Sequence, residues 1–100
     1  MKKTTCTIKT EVWLYPGDTP WHFMSLPKKL SGEIREAHGR VKRGFGSIPV
    51  TIKIGKTTWD TSVFPYTKEE CYIFPLKASV RAKEGMRAGD RVSATLMFKE

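Results

Sequence analysis

The chain has 100 residues, enough for one domain with a single modest core. Hydrophobic residues make up 39% of it and are spread along its length, so we expect one globular domain over residues 1–100 without a disordered tail. The formal net charge of +8 at pH 7 attracts polyanions, of which nucleic acid is the commonest in a cell.

The first predicted elements form an antiparallel hairpin. Residues 4–15 alternate between apolar and polar side chains, which is typical of a half-buried strand. The predicted inward side chains are Cys6, Ile8, Val12 and Leu14. Residues 16–20 contain Pro-Gly and a second proline, which favour a turn, and residues 21–26 return as the second strand.

The middle of the chain predicts a helix followed by four strands. Pro27 opens the helix, because proline is tolerated in the first helical turn. Leu30, Ile34 and Ala37 give this helix one apolar face, and it is expected to end near Gly39. The strands that follow are two within residues 40–54, one over 57–64 and one over 71–76.

The last quarter predicts a short helix, a stop and a final strand. Leu76 and Val80 lie along one side of this second helix, and Gly85 is placed to end it in the left-handed conformation. Residues 88–90 predict a tight turn, in which Asp90 bonds to its own backbone. The inward side chains of the last strand are Val92, Ala94, Leu96 and Phe98. Six or seven strands with two short helices indicate a mainly β fold, a small barrel with helical caps.

The ends and the apolar runs of the chain give no sign of a membrane or export signal. No apolar run approaches the roughly 20 residues that cross a bilayer. Met1-Lys2-Lys3 is basic, but no apolar segment follows it, so we expect no signal peptide, no membrane partner and a cytoplasmic protein.

The cysteines and histidines do not have the spacing of a metal site. Cys6 and Cys71 occupy strand-like positions that suit small buried hydrophobes, and in a reducing compartment we expect two free thiols. With His22 and His38 they show none of the short paired spacing of zinc ligands. We therefore predict neither a metal nor a cofactor.

Catalytic motifs are also missing from the sequence. Gly46-Ser47 lacks the flanking Gly-x-Ser-x-Gly pattern of a nucleophile elbow. The pair Gly44-x-Gly46 lacks the Lys-Ser/Thr and the following helix of a phosphate loop. We therefore assign no catalytic residues and expect a protein that is not an enzyme.

Several segments together carry a family resemblance. They are Trp21-His22-Phe23 with Pro27 and Ile34, Val41-Lys42-Arg43-Gly44-Phe45-Gly46, Tyr72-Ile73-Phe74-Pro75-Leu76, and Val80-Arg81 with Gly89-Asp90-Arg91-Val92. On these residues the chain resembles the bacterial domain-of-unknown-function family DUF1905. The resemblance implies a double-split β-barrel capped by α-helices, and it supplies structural positions rather than catalytic ones. Barrels of similar architecture occur in dimeric bacterial transcription regulators and antitoxins, a kinship of fold that does not define function.

Two hypotheses of binding remain open, and the first is nucleic acid or another polyanion. Basic residues concentrate within residues 40–56, where there are no acids, and within residues 77–91. The predicted contacts are Arg40, Lys42, Arg43, Lys53, Lys56, Arg81, Lys83, Arg87 and Arg91. Phe45 or Trp59 would stack on bases if exposed.

The second hypothesis is a small molecule or peptide in a cleft between the barrel and its helical caps. The candidate lining is Trp13, Trp21, Phe23, Tyr66, Tyr72 and Arg81. Arg81 would bind an anionic group through bidentate contact, and the alternative role for it is an ion pair with Asp60 or Asp90. Because one chain has enough strands to close its own barrel, we expect a monomer rather than a homodimer.

Overall fold

Six antiparallel strands close into a barrel in the computed structural model, which describes residues 4–17, 20–38 and 47–98. The strands are β1 (Thr4–Leu14), β2 (His22–Ser25), β3 (Ile48–Ile54), β4 (Thr57–Tyr66), β5 (Cys71–Leu76) and β6 (Arg91–Phe98). The helices are α1 (Lys28–His38), which follows β2, and α2 (Ala78–Glu84), which follows β5. The predicted mainly β barrel with two short helices is confirmed. Neither helix has the length and apolarity needed to cross a membrane.

Two long strands divide their length between different neighbours. β1 pairs with β6 over residues 4–11 and with β2 over residues 12–14, which confirms the predicted hairpin. β4 pairs with β3 over residues 57–63 and with β5 over residues 64–66. The barrel therefore has two halves, one around β6 and β3 and one around β2 and β5, joined by β1 and β4.

Alternate side chains along the strands fill the barrel interior. The side chains of β3 alternate strictly between buried and outward positions, and in β6 Ala94, Leu96 and Phe98 are buried as predicted. Ile34 of α1 and Val80 of α2 join the same core. Because fully burying a side chain of this kind contributes about 1.5–3 kcal/mol, both helices are held to the barrel by apolar packing.

Three predicted features differ from the structure or fall outside it. Leu14 was expected to face inward, but it is 47% exposed because β1 extends beyond the core, whose last inward side chain from this strand is Val12. β4 continues through Pro65, which has no backbone N–H and lies where β3 no longer pairs with the strand. The first strand predicted within residues 40–54 falls on residues outside the described part, as does the side chain of Ala37.

The helices lie near opposite ends of β5. Ser31 of α1 is fully buried, and its Oγ accepts the backbone N–H of Tyr72, near the start of β5, at 3.0 Å. At the other end, α2 begins two residues after Leu76. Gly85 ends α2 with a φ of 64°, as predicted, and Met86 returns to the core.

The turn after α2 is fastened to β1. Asp90 accepts the backbone N–H of Arg87 through Oδ2 at 2.9 Å, the role predicted for this carboxylate. Gly89 donates its N–H to the carbonyl of Val12 at 2.7 Å, and Val12 donates to the carbonyl of Asp90 at 2.8 Å. These bonds fix the segment that connects α2 to β6, and so fix where α2 lies.

Candidate functional site

The barrel half around β2 and β5 has an apolar outer surface. Phe23, Cys71 and Ile73 form a buried cluster that is separate from the barrel core. Trp13 packs on it with ring centroids 5.3 Å from Phe23 and 5.6 Å from Tyr66. Since Phe74 and Leu76 of the same strand face the core, β5 is covered on both faces.

Beside this cluster lies a groove of about 660 Å³. Its apolar lining includes Trp21, Phe23, Phe64, Ile73 and Pro75, and the cationic Lys77 and Arg81 stand at its α2 side. Trp21 is 62% exposed and Phe64 is 37% exposed. Large apolar side chains left open together in this way mark a site of interaction.

Arg81 presents a guanidinium to the groove. Its Nε donates to the carbonyl of Leu76 at 3.3 Å, which fixes the side chain against the end of β5. Neither Nη makes a hydrogen bond or ion pair with any residue in the described ranges. The alternative of an ion pair with Asp60 or Asp90 is therefore not formed. The two Nη groups remain available for a carboxylate, which guanidinium binds through parallel N–H bonds.

His22 also lines the groove. It is opposite Leu76 in the β2–β5 ladder, the residue whose carbonyl holds Arg81. Its Nδ1 lies 2.7 Å from the carbonyl oxygen of Pro20. A carbonyl only accepts, so Nδ1 carries the proton, and Nε2 of the neutral ring is an acceptor.

The structure brings together half of the predicted ligand-binding residues. Trp21, Phe23 and Arg81 line the groove, whereas Trp13 and Tyr66 lie behind Phe23. Tyr72 is in the barrel core with 4% exposure and does not reach the groove. The lining residues that the sequence did not reveal include His22, Phe64, Ile73 and Pro75. Phe64 lies inside the strand predicted over 57–64, but its pairing with Ile73 of β5 beyond the end of β3 depends on register, which no local pattern shows.

The basic residues predicted to bind a polyanion lie on several elements. Arg40, Lys42 and Arg43 fall outside the described residues. Arg81 and Lys83 are on α2, and Arg87 follows it. The others are Lys53 in β3, Lys56 in the β3–β4 turn and Arg91 at the start of β6. Trp59, one candidate for stacking on bases, is half-buried against the core, and Phe45 lies outside the described residues.

The barrel half around β3 and β6 has a polar outer surface. Thr95 of β6 is opposite Thr7 of β1 on one side and Lys53 of β3 on the other. The hydroxyls of Thr7 and Thr95 are 3.2 Å apart. Arg91 donates from Nη2 to the carbonyl of Lys9 at 3.0 Å. Hydroxyls and cations therefore share this face, opposite in character to the aromatic groove.

Neither cysteine has the properties of a nucleophile. Both are free, Cys71 buried and Cys6 half-buried. Burial raises the pKa of the Cys71 thiol. Burial also raises the pKa of the Cys6 thiol, and the negative charge of Glu33 adds to that rise. A raised pKa keeps a thiol protonated and therefore unreactive at neutral pH. In residues 4–17, 20–38 and 47–98, no three His, Cys, Asp or Glu side chains are grouped so as to hold a metal ion.

The fold and the groove define a small six-stranded antiparallel barrel with helices at its ends and an aromatic groove on its outer surface. Residues 9–96 match the model of DUF1905, a domain of unknown function, and the chain belongs to this family. The match covers every residue that lines the groove, including Trp21 at one side and Arg81 at the other. No curated protein matches the chain.

Proposed function

We propose that this protein is a non-enzymatic binding module that holds a small amphipathic organic anion in the groove beside α2. The apolar body of the ligand lies on Trp21, Phe23 and Phe64, and its anionic group binds Arg81. The observation that carries the proposal is the guanidinium of Arg81, held through Nε with both Nη groups unpartnered among the described residues, beside an apolar surface.

The energetics favour a ligand with both kinds of surface. Removing apolar surface from water contributes about 25 cal/mol per Å², which gives the aromatic lining most of the affinity. A hydrogen bond to a charged group contributes about 1.5–3 kcal/mol, so a carboxylate at Arg81 adds both affinity and orientation. With a neutral apolar ligand, the Nη groups of this guanidinium would have only water as a hydrogen-bond partner.

Main-chain pairing around the groove favours a compact ligand over an added peptide strand. His22, Phe23 and Met24 of β2 are paired on both sides, with β1 and with β5. Pro75 of β5 has no N–H to donate. A bound strand obtains its affinity from main-chain hydrogen bonds, and these residues have few to give. The groove is therefore suited to a ligand recognised through side chains.

Thermal unfolding with a matched pair of probes tests the proposal. We expect 2-naphthoate to raise the melting temperature more than the neutral 2-naphthalenemethanol, because a ligand bound only by the folded state stabilises it by mass action. Arg81→Gln should weaken the binding of 2-naphthoate by about tenfold or more, equivalent to about 1.4 kcal/mol, and leave the binding of the neutral probe unchanged. Arg87→Gln, an exposed arginine beyond the end of α2, is the control and should change neither.

Two results would overturn the proposal. One is the absence of any shift with either probe, or equal shifts that Arg81→Gln does not alter. The other is a homodimer in sedimentation that Trp21→Ala converts to monomer, because the groove would then be covered by a second copy of the chain.

A second candidate function is the binding of nucleic acid or another polyanion, and the polar outer surface favours it. Lys9, Lys53 and Arg91 lie there among the hydroxyls of Thr7, Ser93 and Thr95. Amines, guanidinium groups and hydroxyls are the usual partners of phosphate oxygens. Glu11, opposite Arg91 in the β1–β6 ladder, lowers the positive charge at one edge of this face.

Salt dependence tests this second candidate. We expect retention of the protein on heparin and on DNA at low ionic strength, with a steep loss as salt rises. Lys9→Gln and Lys53→Gln, made singly, should each elute at lower salt than the parent protein, while Lys68→Gln in the β4–β5 turn is the control that removes one charge elsewhere. If the protein is not retained at low ionic strength, this candidate fails and the groove proposal is unaffected.

A further inference from the structure

We propose that the ligand of the groove is a planar aromatic carboxylate with an N–H or O–H donor next to its carboxylate, and that His22 binds this donor through Nε2. The inference rests on the proposed function, because it specifies the ligand of the same groove. It makes His22 a specificity-determining residue beside Arg81.

The tautomer of His22 determines what the histidine can recognise. Its Nδ1 is engaged by the carbonyl of Pro20 at 2.7 Å and must donate to it. In the neutral ring Nε2 then has a lone pair, and it has no hydrogen-bond partner among the described residues, although His22 lines the groove. An unpartnered acceptor beside an apolar ligand favours one that donates, because a buried polar atom left unpaired weakens binding.

The positions of His22 and Arg81 set where the two polar groups of the ligand lie. Both residues adjoin Leu76, one across the β2–β5 ladder and the other through the bond to its carbonyl. Residues directly opposite in an antiparallel pair have Cα atoms about 4.5–5.5 Å apart. Because both residues line the groove and adjoin Leu76, the proposal places the donor and the carboxylate of the ligand next to each other.

The rest of the lining favours a flat ligand. Trp21, Phe23 and Phe64 present aromatic rings, and Pro20 and Pro75 present rigid rings that cannot rearrange. Aromatic rings associate in offset-stacked or edge-to-face arrangements that add to the effect of buried area. A planar ring system uses these surfaces better than a flexible chain, which loses rotamer freedom on binding.

Three acids of nearly the same shape test the inference on the unmodified protein. Indole-2-carboxylate has the N–H beside its carboxylate, 1-methylindole-2-carboxylate has it blocked, and 1-benzofuran-2-carboxylate has an oxygen acceptor in its place. We expect calorimetric titration to show indole-2-carboxylate binding about tenfold more tightly than the other two. Equal affinity for the indole and benzofuran acids would overturn the inference.

Two substitutions of His22 separate recognition from a structural role. The amide of His22→Gln reaches the position of Nε2 and offers an acceptor, so the preference for the indole acid should persist in part. His22→Asn places its amide near Nδ1, keeps the bond to Pro20 and should lose the preference. If His22 only held Pro20 in place, the order of the two variants would be reversed.

The outcomes also separate this inference from the proposed function. If none of the three acids binds but 2-naphthoate does, this inference fails and the proposed function stands; if 2-naphthoate does not bind either, the proposed function itself fails. If the three acids bind equally and all depend on Arg81, the groove binds an organic anion but His22 does not select a donor. Because the probe comparison uses the unmodified protein, a variant that fails to fold does not prevent the decision.

Discussion

The carboxylate of Glu84, the last residue of α2, accepts the hydroxyl hydrogen of Thr57 at 2.6 Å. Its Oε2 also accepts the backbone N–H of Lys56 at 3.3 Å. One side chain thus fastens the end of α2 to the turn between β3 and β4. Arg81 lies three residues earlier on the same helix, so this contact also helps to position the cation of the groove.

Removing either partner of this bond should destabilise the protein. We expect Glu84→Ala and Thr57→Val each to lower the free energy of unfolding by about 1–2 kcal/mol, because a part-buried, charge-assisted hydrogen bond is lost. The double variant should lose less than the sum, which urea unfolding in a double-mutant cycle measures. Lys83→Ala is the control on the same helix. Strict additivity of Glu84→Ala and Thr57→Val would contradict the coupling.

Gly55 and Gly85 form a matched pair for a second prediction. Their φ angles are 58° and 64°, so an alanine at either position is strained by about 1 kcal/mol or more. A Cβ at Gly55 would also collide with the carboxylate of Glu84, whereas one at Gly85 would meet nothing. Thermal unfolding should therefore show a larger loss for Gly55→Ala than for Gly85→Ala. Equal losses would mean that Glu84 moves aside without loss of stability.

The turn between β4 and β5 contains a correctable strain. Glu70 has a φ of 54°, which lies in the left-handed region. Residues other than glycine and asparagine rarely adopt this region. We expect Glu70→Asn to raise the free energy of unfolding by about 1 kcal/mol. Glu69→Asn, one residue earlier, should bring no such gain. A lower melting temperature for Glu70→Asn than for the parent protein would refute the prediction.

The buried hydroxyl of Ser31 supports α1 from inside. Its Oγ accepts the N–H of Tyr72, and without it that N–H is left unpaired in the interior. We expect Ser31→Ala to cost about 1–3 kcal/mol in chemical denaturation. Ser79→Ala, at an exposed position of α2, is the matched control and should be neutral or slightly stabilising, since alanine is the better helix former. Similar effects of the two variants would show that the bond to Tyr72 contributes nothing.

The buried thiol of Cys71 makes the stability of the protein fall as the pH becomes alkaline. Burial raises its pKa above the ordinary value of 9.0; a hydrogen bond with Ser25 and the charge of Lys28 act in the opposite direction, and Glu69 adds to the rise. The folded state therefore keeps a proton that the unfolded state releases. This contribution is complete below pH 9.0 and is lost as pH rises through the folded-state pKa.

Urea unfolding at neutral and alkaline pH measures this loss. The parent protein should lose more free energy of unfolding between pH 7.5 and pH 10.5, roughly spanning the thiol range, than Cys71→Ala does. The comparison cancels the lysines and tyrosines that titrate in the same interval. Identical pH dependence in the two proteins would contradict the raised pKa.

The sequence predicts most of the barrel because its signals are local. The alternation in β6, the glycine that stops α2 and the turn at Asp90 each depend on a few neighbouring residues, and all three are confirmed. Leu14 shows the limit of this method, because its alternation with Val12 is correct but the barrel core ends between them. Periodicity indicates the face of a side chain but not the extent of the core.

The complete lining of the groove could not be predicted from the sequence, for a different reason. Its lining comes from segments around Trp21, Phe64, Ile73 and Arg81, which are joined only by the register of β2, β5 and β4. No local pattern distinguishes Tyr72, which packs inside, from Ile73, which lies outside, because both faces of β5 are apolar. The free guanidinium of Arg81 likewise depends on tertiary contacts.

Because β5 is buried on both faces, it couples the groove to the barrel core. Ile73 belongs to the outer aromatic cluster and Phe74 to the core, and they are consecutive on one backbone. Local opening of this strand would expose both clusters, so its amides open only with a large part of the barrel. Occupation of the groove should thus slow deuterium uptake along β5, including at amides whose side chains never touch the ligand.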